Sequence, residues 1–211
     1  MADETLTDLT EFTGLIAPDD WLYLVDKSDT TENAAGSSFK VKVGALVNRV
    51  LLAVITNTTE GEFDFTSIPS GFNNLVIVGQ IRGEVAATEA TLRVFLNTDT
   101  TDANYHVQQI SNNNAVINVN EASTAFAGVV PAASSPTDSY GEVEFIIPHY
   151  TLSRLKVIKC SFDSYLDTDK IRNGRAMIVS AITAAITRVR IRDVNDPTSQ
   201  LFGTLRLYGE M

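Results

Sequence analysis

From about residue 50 onward, short runs in which core-type and surface-type residues alternate with a period of two dominate this chain. Leu75, Ile77 and Ile81 alternate with Val76, Val78, Gln80 and Arg82. Leu92, Val94 and Leu96 alternate with Thr91, Arg93 and Asn97, and Val143, Phe145 and Ile147 with Glu142, Glu144 and Pro148. The same beat returns at Val189 and Ile191, between Arg188, Arg190 and Arg192, and at Leu205 and Leu207, between Thr204, Arg206 and Tyr208. Successive side chains of a strand point to opposite faces, so this period reads as strands with one face buried. Clusters of turn-forming residues punctuate the runs: Pro69-Ser70-Gly71, Asn97-Thr98-Asp99-Thr100, Asn112-Asn113-Asn114, Ser134-Ser135-Pro136, Asn173-Gly174 and Asn195-Asp196-Pro197. The expected fold class is therefore all-β, a jelly-roll or Greek-key β-sandwich. The Ala- and Ile-rich stretch 176–186 has a composition that also suits a helix; its neighbours favour a strand. A repeat of fixed period or a heptad seam is lacking, so no fibrous shaft is expected.

The first 50 residues read differently. Trp21-Leu22-Tyr23-Leu24-Val25 is a strand candidate, followed by a turn-rich stretch to Ser38. Phe39, Val41 and Val43 then alternate with Lys40 and Lys42, and Gly44 to Leu52 has the composition of a short helix. The reading is a small N-terminal hairpin-plus-helix segment, too small to hold its own core. It is expected to pack against the body, a sister chain or another protein. The charge is concentrated here too. The chain of 211 residues has a formal net charge of −10, and residues 1–40 hold nine acids against two bases. The other 171 residues hold 17 acids against 14 bases. An acidic terminal segment on a nearly balanced body reads as an interaction segment or a solubilising tail. The expected division is residues 1–50 and residues 51–211.

Several functional classes recede. No apolar run approaches the ~18 residues of a membrane helix. Met1-Ala2-Asp3-Glu4 lacks the basic-then-apolar pattern of a secretory signal, so no membrane insertion or Sec export is expected. One cysteine, Cys160, excludes an internal disulfide and any multi-cysteine zinc site. The acidic balance gives no general attraction to nucleic acid. Phosphate-loop, dinucleotide, paired-His and nucleophile-elbow motifs are all missing, and no catalytic residue, metal or cofactor is expected.

A few residues still carry candidate chemistry. His149, Ser153 and Cys160 suggest a nucleophilic pair, but Val157, Ile158 and Phe162 make Cys160 a core position, where a free cysteine acts as a small hydrophobe. His106 reads as an ordinary strand residue. Asp99 with Asp102, and Asp163 with Asp167 and Asp169, are candidate calcium turns without the full calcium-loop pattern. Arg188, Arg190 and Arg192 fall on one strand face and are a candidate subunit contact, since arginine pairs well with carboxylates across interfaces. A solvated sheet face is the plainer reading. Glu142 and Glu144 share a strand face at a spacing that would suit glycoside cleavage, but they read as the solvent side of a half-buried strand. Tyr140, Tyr150 and Tyr165 lie near predicted strand ends and are candidate sugar-binding aromatics, with the core as the plainer reading of each.

Two stretches carry a resemblance. Trp21-Leu22-Tyr23-Leu24-Val25-Asp26-Lys27-Ser28-Asp29-Thr30-Thr31, then Gly36-Ser37-Ser38-Phe39-Lys40-Val41-Lys42-Val43 and Leu46, resembles the N-terminal segment of tailed-bacteriophage fibre and tail proteins. The remainder resembles a β-sandwich domain of phage virion proteins. Its marks are Ile68-Pro69 with Leu75-Val76-Ile77-Val78-Gly79 and Arg82, then Phe95-Leu96-Asn97-Thr98-Asp99 with Ala103-Asn104-Tyr105. Ala184-Ala185-Ile186-Thr187-Arg188-Val189 and Leu205-Arg206-Leu207-Tyr208-Gly209 complete them. Residues 111–140 match weakly. The resemblance implies a structural virion component, assembled in the host cytoplasm and often a homotrimer, and brings no catalytic residue. It implies a docking segment that holds the particle through Trp21, Tyr23, Val25, Phe39, Val41 and Val43, by apolar burial and strand pairing. Its partners would be its own copies, other virion proteins of capsid or tail, and host-surface glycans. A short tail fibre or knob competes with a capsid decoration or head-fibre protein, and a polysaccharide-degrading virion enzyme is the third alternative.

Overall fold

The computed structural model describes residues 21–26, 37–42, 49–59, 61–114, 116–167, 169–194 and 201–211. They divide into two compact units, Met1–Asn48 and Arg49–Met211. In the first, β1 (Trp21–Asp26) pairs antiparallel with β2 (Ser37–Lys42). The second holds β3 (Arg49–Asn57), β4 (Phe63–Phe65), β5 (Asn74–Gly83), β6 (Glu89–Leu96), β7 (Tyr105–Asn113) and β8 (Val116–Ala122). It continues with β9 (Phe126–Pro131), β10 (Gly141–Pro148), β11 (Lys156–Asp167), β12 (Lys170–Ser180), β13 (Val189–Asp193) and β14 (Leu201–Glu210). Among the described residues the one helical element is a 3-10 turn, Asp102–Asn104. No helix there is long and apolar enough to cross a membrane.

Two antiparallel sheets form a β-sandwich. One has the order β4-β13-β6-β9, the other β3-β14-β5-β10-β11-β12-β7-β8. The expected jelly-roll connectivity is present. The chain folds back on itself so that β4 meets β13, β6 meets β9, and β7 meets both β12 and β8. The β10–β11 hairpin is inserted between β5 and β12, and β14 and β3 extend the large sheet beyond β5. The core lies between the sheets. Phe63, Phe65, Leu92 and Val94 of the small sheet meet Leu75, Ile77, Phe145, Ile158 and Phe162 of the large one. The alternating runs in β5, β6, β10, β13 and β14 thus bury the residues the sequence assigns to the core, at roughly 1.5–3 kcal/mol per large side chain.

Three local expectations need correction. Within the helix expected over Gly44–Leu52, residues 49–52 open strand β3 instead, and residues 44–48 lie outside the described ones. A run that is apolar at nearly every position serves helix or strand, and here β14 offers a free ladder edge that selects the strand. The expected residue-50 boundary thereby falls inside β3. Asn173-Gly174 is no turn but the middle of β12, and the reversal occurs between Asp167 and Lys170. Gly174 is there because a Cβ would come within 2.6 Å of the Phe162 ring. Finally, the stretch 176–186 is strand only through Ser180. Beyond it the Ala181 N–H donates to the Asn104 carbonyl and the Ile186 N–H to the Tyr150 carbonyl, which anchors an irregular crossing to β13. Asn195-Asp196-Pro197 lies outside the described residues.

Candidate functional site

In the N-terminal unit the β1–β2 register places Trp21 opposite Lys42, Tyr23 opposite Lys40 and Val25 opposite Ser38. Leu22 pairs with Val41 and Leu24 with Phe39. The expected docking positions therefore fall on two alternating sets of the ladder. Phe39 and Val41 share theirs with Leu22 and Leu24, not with Trp21, Tyr23 and Val25. Val43 lies outside the described residues.

The arginine triplet stands on the outer face of the small sheet, since Val189 and Ile191 are buried between its members. Each guanidinium has a partner within the chain. Arg188 donates to both carboxylate oxygens of Asp64, at 2.7 and 2.6 Å, a bidentate pair that holds the Asp64 carboxyl below its ordinary value. Arg190 lies 3.8 Å from Glu62. Arg192 sits over the Phe95 ring, 4.7 Å from its centre. These carboxylates come from β4 and the residues just before it, not from the acidic segment 1–40.

The other chemical candidates disperse. Cys160 points into the core opposite Phe145, and burial pushes its thiol far up, away from the nucleophilic thiolate. His149 belongs to the turn after β10, four residues beyond Phe145. His106 faces outward on β7. Both carboxylates of the first acidic turn are already occupied. Asp99 accepts from the Thr101 N–H at 2.9 Å and the Asn104 amide at 2.8 Å, and Asp102 accepts from Arg93 and the Ala125 N–H. Among the described residues no three His, Cys, Asp or Glu side chains are grouped to hold a metal ion. Tyr150 is fully buried, its hydroxyl donating to the Pro69 carbonyl, whereas Tyr140 and Tyr165 are exposed, against the expectation of core positions.

The outer face of the eight-stranded sheet is ordered into rows by the ladders. One row runs Thr204–Gln80–Glu142–Asp163–Asn173–Asn112–Ile117 from β14 to β8. The next runs Arg206–Val78–Glu144–Ser161–Arg175–Ile110–Val119. Glu142 lines a shallow depression of about 620 Å³ on this face with Gln80, Tyr140, Thr204 and Arg206, and Glu144 stands in the neighbouring row. Toward β8 the face dips into a shallow depression of about 520 Å³ lined by Asn112, Ile117, Ser161, Asp163, Asn173 and Arg175.

The sequence reading missed the character of the sheet end at β7 and β8. Gln109 and Ser111 point inward and are buried, while Ile110, between them, is half exposed. On β8, Asn120 and Asn118 share the inner face with Gln109 and Ser111, and Val119 shares the outer face with Ile110. β8 is exposed on both sides, with Val116 on the side of Asn118 and Asn120, so at this end the sheet runs past the core. The alternation is visible in the sequence, but which parity faces the core is not.

No protein-family model, curated protein or solved structure matches this chain.

Proposed function

We propose that this chain is a non-enzymatic structural component of a tailed-phage virion. It would be a short fibre or knob that docks on the particle through its N-terminal segment and projects the β-sandwich as a head toward the host surface. The observation that carries this reading is the division of the chain. The residues that resemble a particle-docking pattern form a hairpin in a unit of their own, and a jelly roll is built from Arg49–Met211. A short hairpin suits a segment completed by a partner through strand pairing and apolar burial. The sandwich, whose core is formed between its two sheets, suits a projecting head. Closed symmetric association is the usual state of such parts, and a homotrimer is the first expectation.

The test is antibody labelling of purified virions from the cell that expresses the chain. Label on the tail supports the fibre or knob. Label over the shell supports the capsid-decoration alternative, which the same division of the chain fits. Virions free of the chain overturn the reading. A companion experiment adds the full chain, or a chain starting at Arg49, to particles assembled without it. Co-sedimentation of the full chain alone assigns docking to the first unit, and co-sedimentation of both removes that assignment. Neutral polysaccharides incubated with the wild-type protein address the enzymatic alternative. Cleavage that disappears in Glu142→Gln with Glu144→Gln would support that alternative against ours.

A further inference from the structure

Among the described residues of Arg49–Met211, two aromatic side chains are exposed, Tyr140 at 45% and Tyr165 at 44%. The fold brings them together. Glu142 of β10 pairs with Asp163 of β11, both outward. The same register continues past the end of the ladder, since a Cβ on Gly141 would come within 2.7 Å of the Ser164 Oγ. Two residues beyond the Glu142–Asp163 pair, Tyr140 and Tyr165 therefore stand opposite one another on the outer face of the large sheet. Both are tied down. The Ser139 hydroxyl donates to the Tyr165 carbonyl. The Arg82 guanidinium donates to the Pro136, Thr137 and Ser139 carbonyls of the loop that leads to Tyr140. Two rings that reach solvent from an anchored base cost a ligand little ordering. Beside them lies a row of hydrogen-bonding side chains: Thr204, Gln80, Glu142 and Asp163, one from each of β14, β5, β10 and β11. Tyr140 shares the depression of about 620 Å³ with the first three.

We propose that Tyr140, Tyr165 and this row form a binding platform for a neutral polysaccharide. A sugar ring offers an apolar face of C–H groups and a rim of hydroxyls. The tyrosine rings give the first a flat surface to lie on, and the carboxylates, amide and hydroxyl of the row exchange hydrogen bonds with the second. The row spans three strand spacings, about 14 Å, which suits linked sugars better than a single one. Other ligand classes fit poorly. The residues two places from either ring along the chain are Asp138, Glu142, Asp163 and Asp167, all acids, which oppose a phosphate backbone or an acidic polysaccharide. The base in the depression, Arg206, lies two strands from Glu142. β10 is paired on both sides, with β5 and β11, so its main chain is closed to a peptide strand. A purely apolar ligand would strip water from Gln80, Glu142 and Asp163 without replacing its hydrogen bonds. The platform deepens the host-surface part of the proposed function and rests on that reading.

The experiment is affinity electrophoresis of the full chain through native gels that contain dextran, mannan, galactomannan or β-glucan, with alginate as the acidic comparison. The wild type should be retarded by at least one neutral polysaccharide and not by alginate. In the gel that retards it, Tyr140→Ala and Tyr165→Thr should each weaken binding about tenfold, the loss expected when one ring contact is removed. Tyr140→Phe and Tyr165→Phe keep the ring and should bind nearly as the wild type does. Val119→Ala, at the β8 edge of the same face, should change nothing. The substituted side chains are exposed, and unchanged thermal unfolding of each variant checks that the sandwich is intact. The two rings are removed separately, so one variant decides if the other fails to fold. Four outcomes overturn the proposal: no retardation by any of the neutral gels, stronger retardation by alginate, wild-type binding without the rings, or phenylalanine variants as weak as the ringless ones. The virion reading is judged by labelling of particles, so these failures remain separate from its own.

Discussion

Arg82 shows what one side chain contributes to this fold. It leaves the large sheet at β5 and donates to six main-chain carbonyls in the loop between β9 and β10. Pro136, Thr137 and Ser139 accept from one terminal nitrogen, and Ala132, Ala133 and Ser135 from the other. A planar fork with several fixed donors can satisfy such a ring, whereas an ammonium is a single point of charge. Hydrogen bonds to a charged group are worth roughly 1.5–3 kcal/mol net, so Arg82→Met should cost about 2–3 kcal/mol in chemical denaturation. It should also make the loop at 132–139 a protease site, and Arg82→Lys should recover less than half the loss. Wild-type stability in Arg82→Met would show that the loop holds its shape without the guanidinium. Tyr105 plays a comparable part in the interior. Its hydroxyl accepts from the Leu96 N–H at 2.9 Å and donates to the Asp99 carbonyl at 3.1 Å, and its ring meets Phe95 edge to face. Burial is the main cause that raises its hydroxyl to about 12. The unfolded chain releases that proton near the ordinary value of 10, so between the two values the folded state binds more protons. Stability from this group is complete below pH 10 and is lost as pH rises toward 12. Tyr105→Phe should cost about 1–3 kcal/mol at neutral pH, because the Leu96 N–H loses its acceptor. It should also flatten the alkaline limb of the stability curve. An unchanged limb would assign alkaline unfolding to other groups.

At the scale of elements, one aromatic ring and two residues without side chains fit β11 against β9 of the facing sheet and against β12 beside it. Phe162 of β11 stacks edge to face on Phe126, with ring centres 6.4 Å apart. A Cβ on Gly128 would come within 2.7 Å of its ring, and a Cβ on Gly174 within 2.6 Å. Gly128 also has φ of +149°, which disfavours any other residue. Gly128→Ala should therefore lower stability by about 1–3 kcal/mol, and Phe162→Leu in the same chain should restore part of it by making room. Denaturant titration of the single and double variants measures this, and additive effects would mean that the ring is not the obstacle. This contact also shows what the sequence made legible. The period-two runs read correctly as strands, because alternation is a local consequence of burying one face. Asn173-Gly174 read as a turn because that dipeptide favours reversals. The real reason for its glycine is the Phe162 ring twelve residues upstream, across a ladder. In the same way β3 was obscured because its partner strand lies at the far end of the chain, with Arg49 opposite Glu210. The exposure of Ile110, Ile117 and Val119 escaped because alternation does not say how far a sheet runs past its core.

For the whole molecule, that long-range pairing sets the limits within which the chain can be cut. β14 is the last of the described strands, yet it lies inside the large sheet, between β3 and β5. Leu201, Leu205 and Leu207 bring three buried side chains to the core. At roughly 1.5–3 kcal/mol each, they amount to a large share of a domain's net stability of about 5–15 kcal/mol. Without β14, β3 has no partner and β5 becomes an exposed edge. A chain ending at residue 200 should therefore fail to reach a cooperative fold, with loss of near-ultraviolet circular dichroism and of a sharp thermal transition. The opposite end should behave differently. The described core runs from Phe63 to Leu207, with Val50, Leu52 and Ile55 of β3 packed on it, so a chain starting at Arg49 keeps all of it. That chain should unfold within a few degrees of the full one, whereas a start at Val50 removes Arg49 and its ion pair with Glu210. An exposed pair of this kind is worth at most about 1 kcal/mol, so that second loss should be small and weakened by salt. A chain starting at Arg49 that does not fold would mean that the first unit supplies part of the core, and the docking role proposed for it would lose its basis.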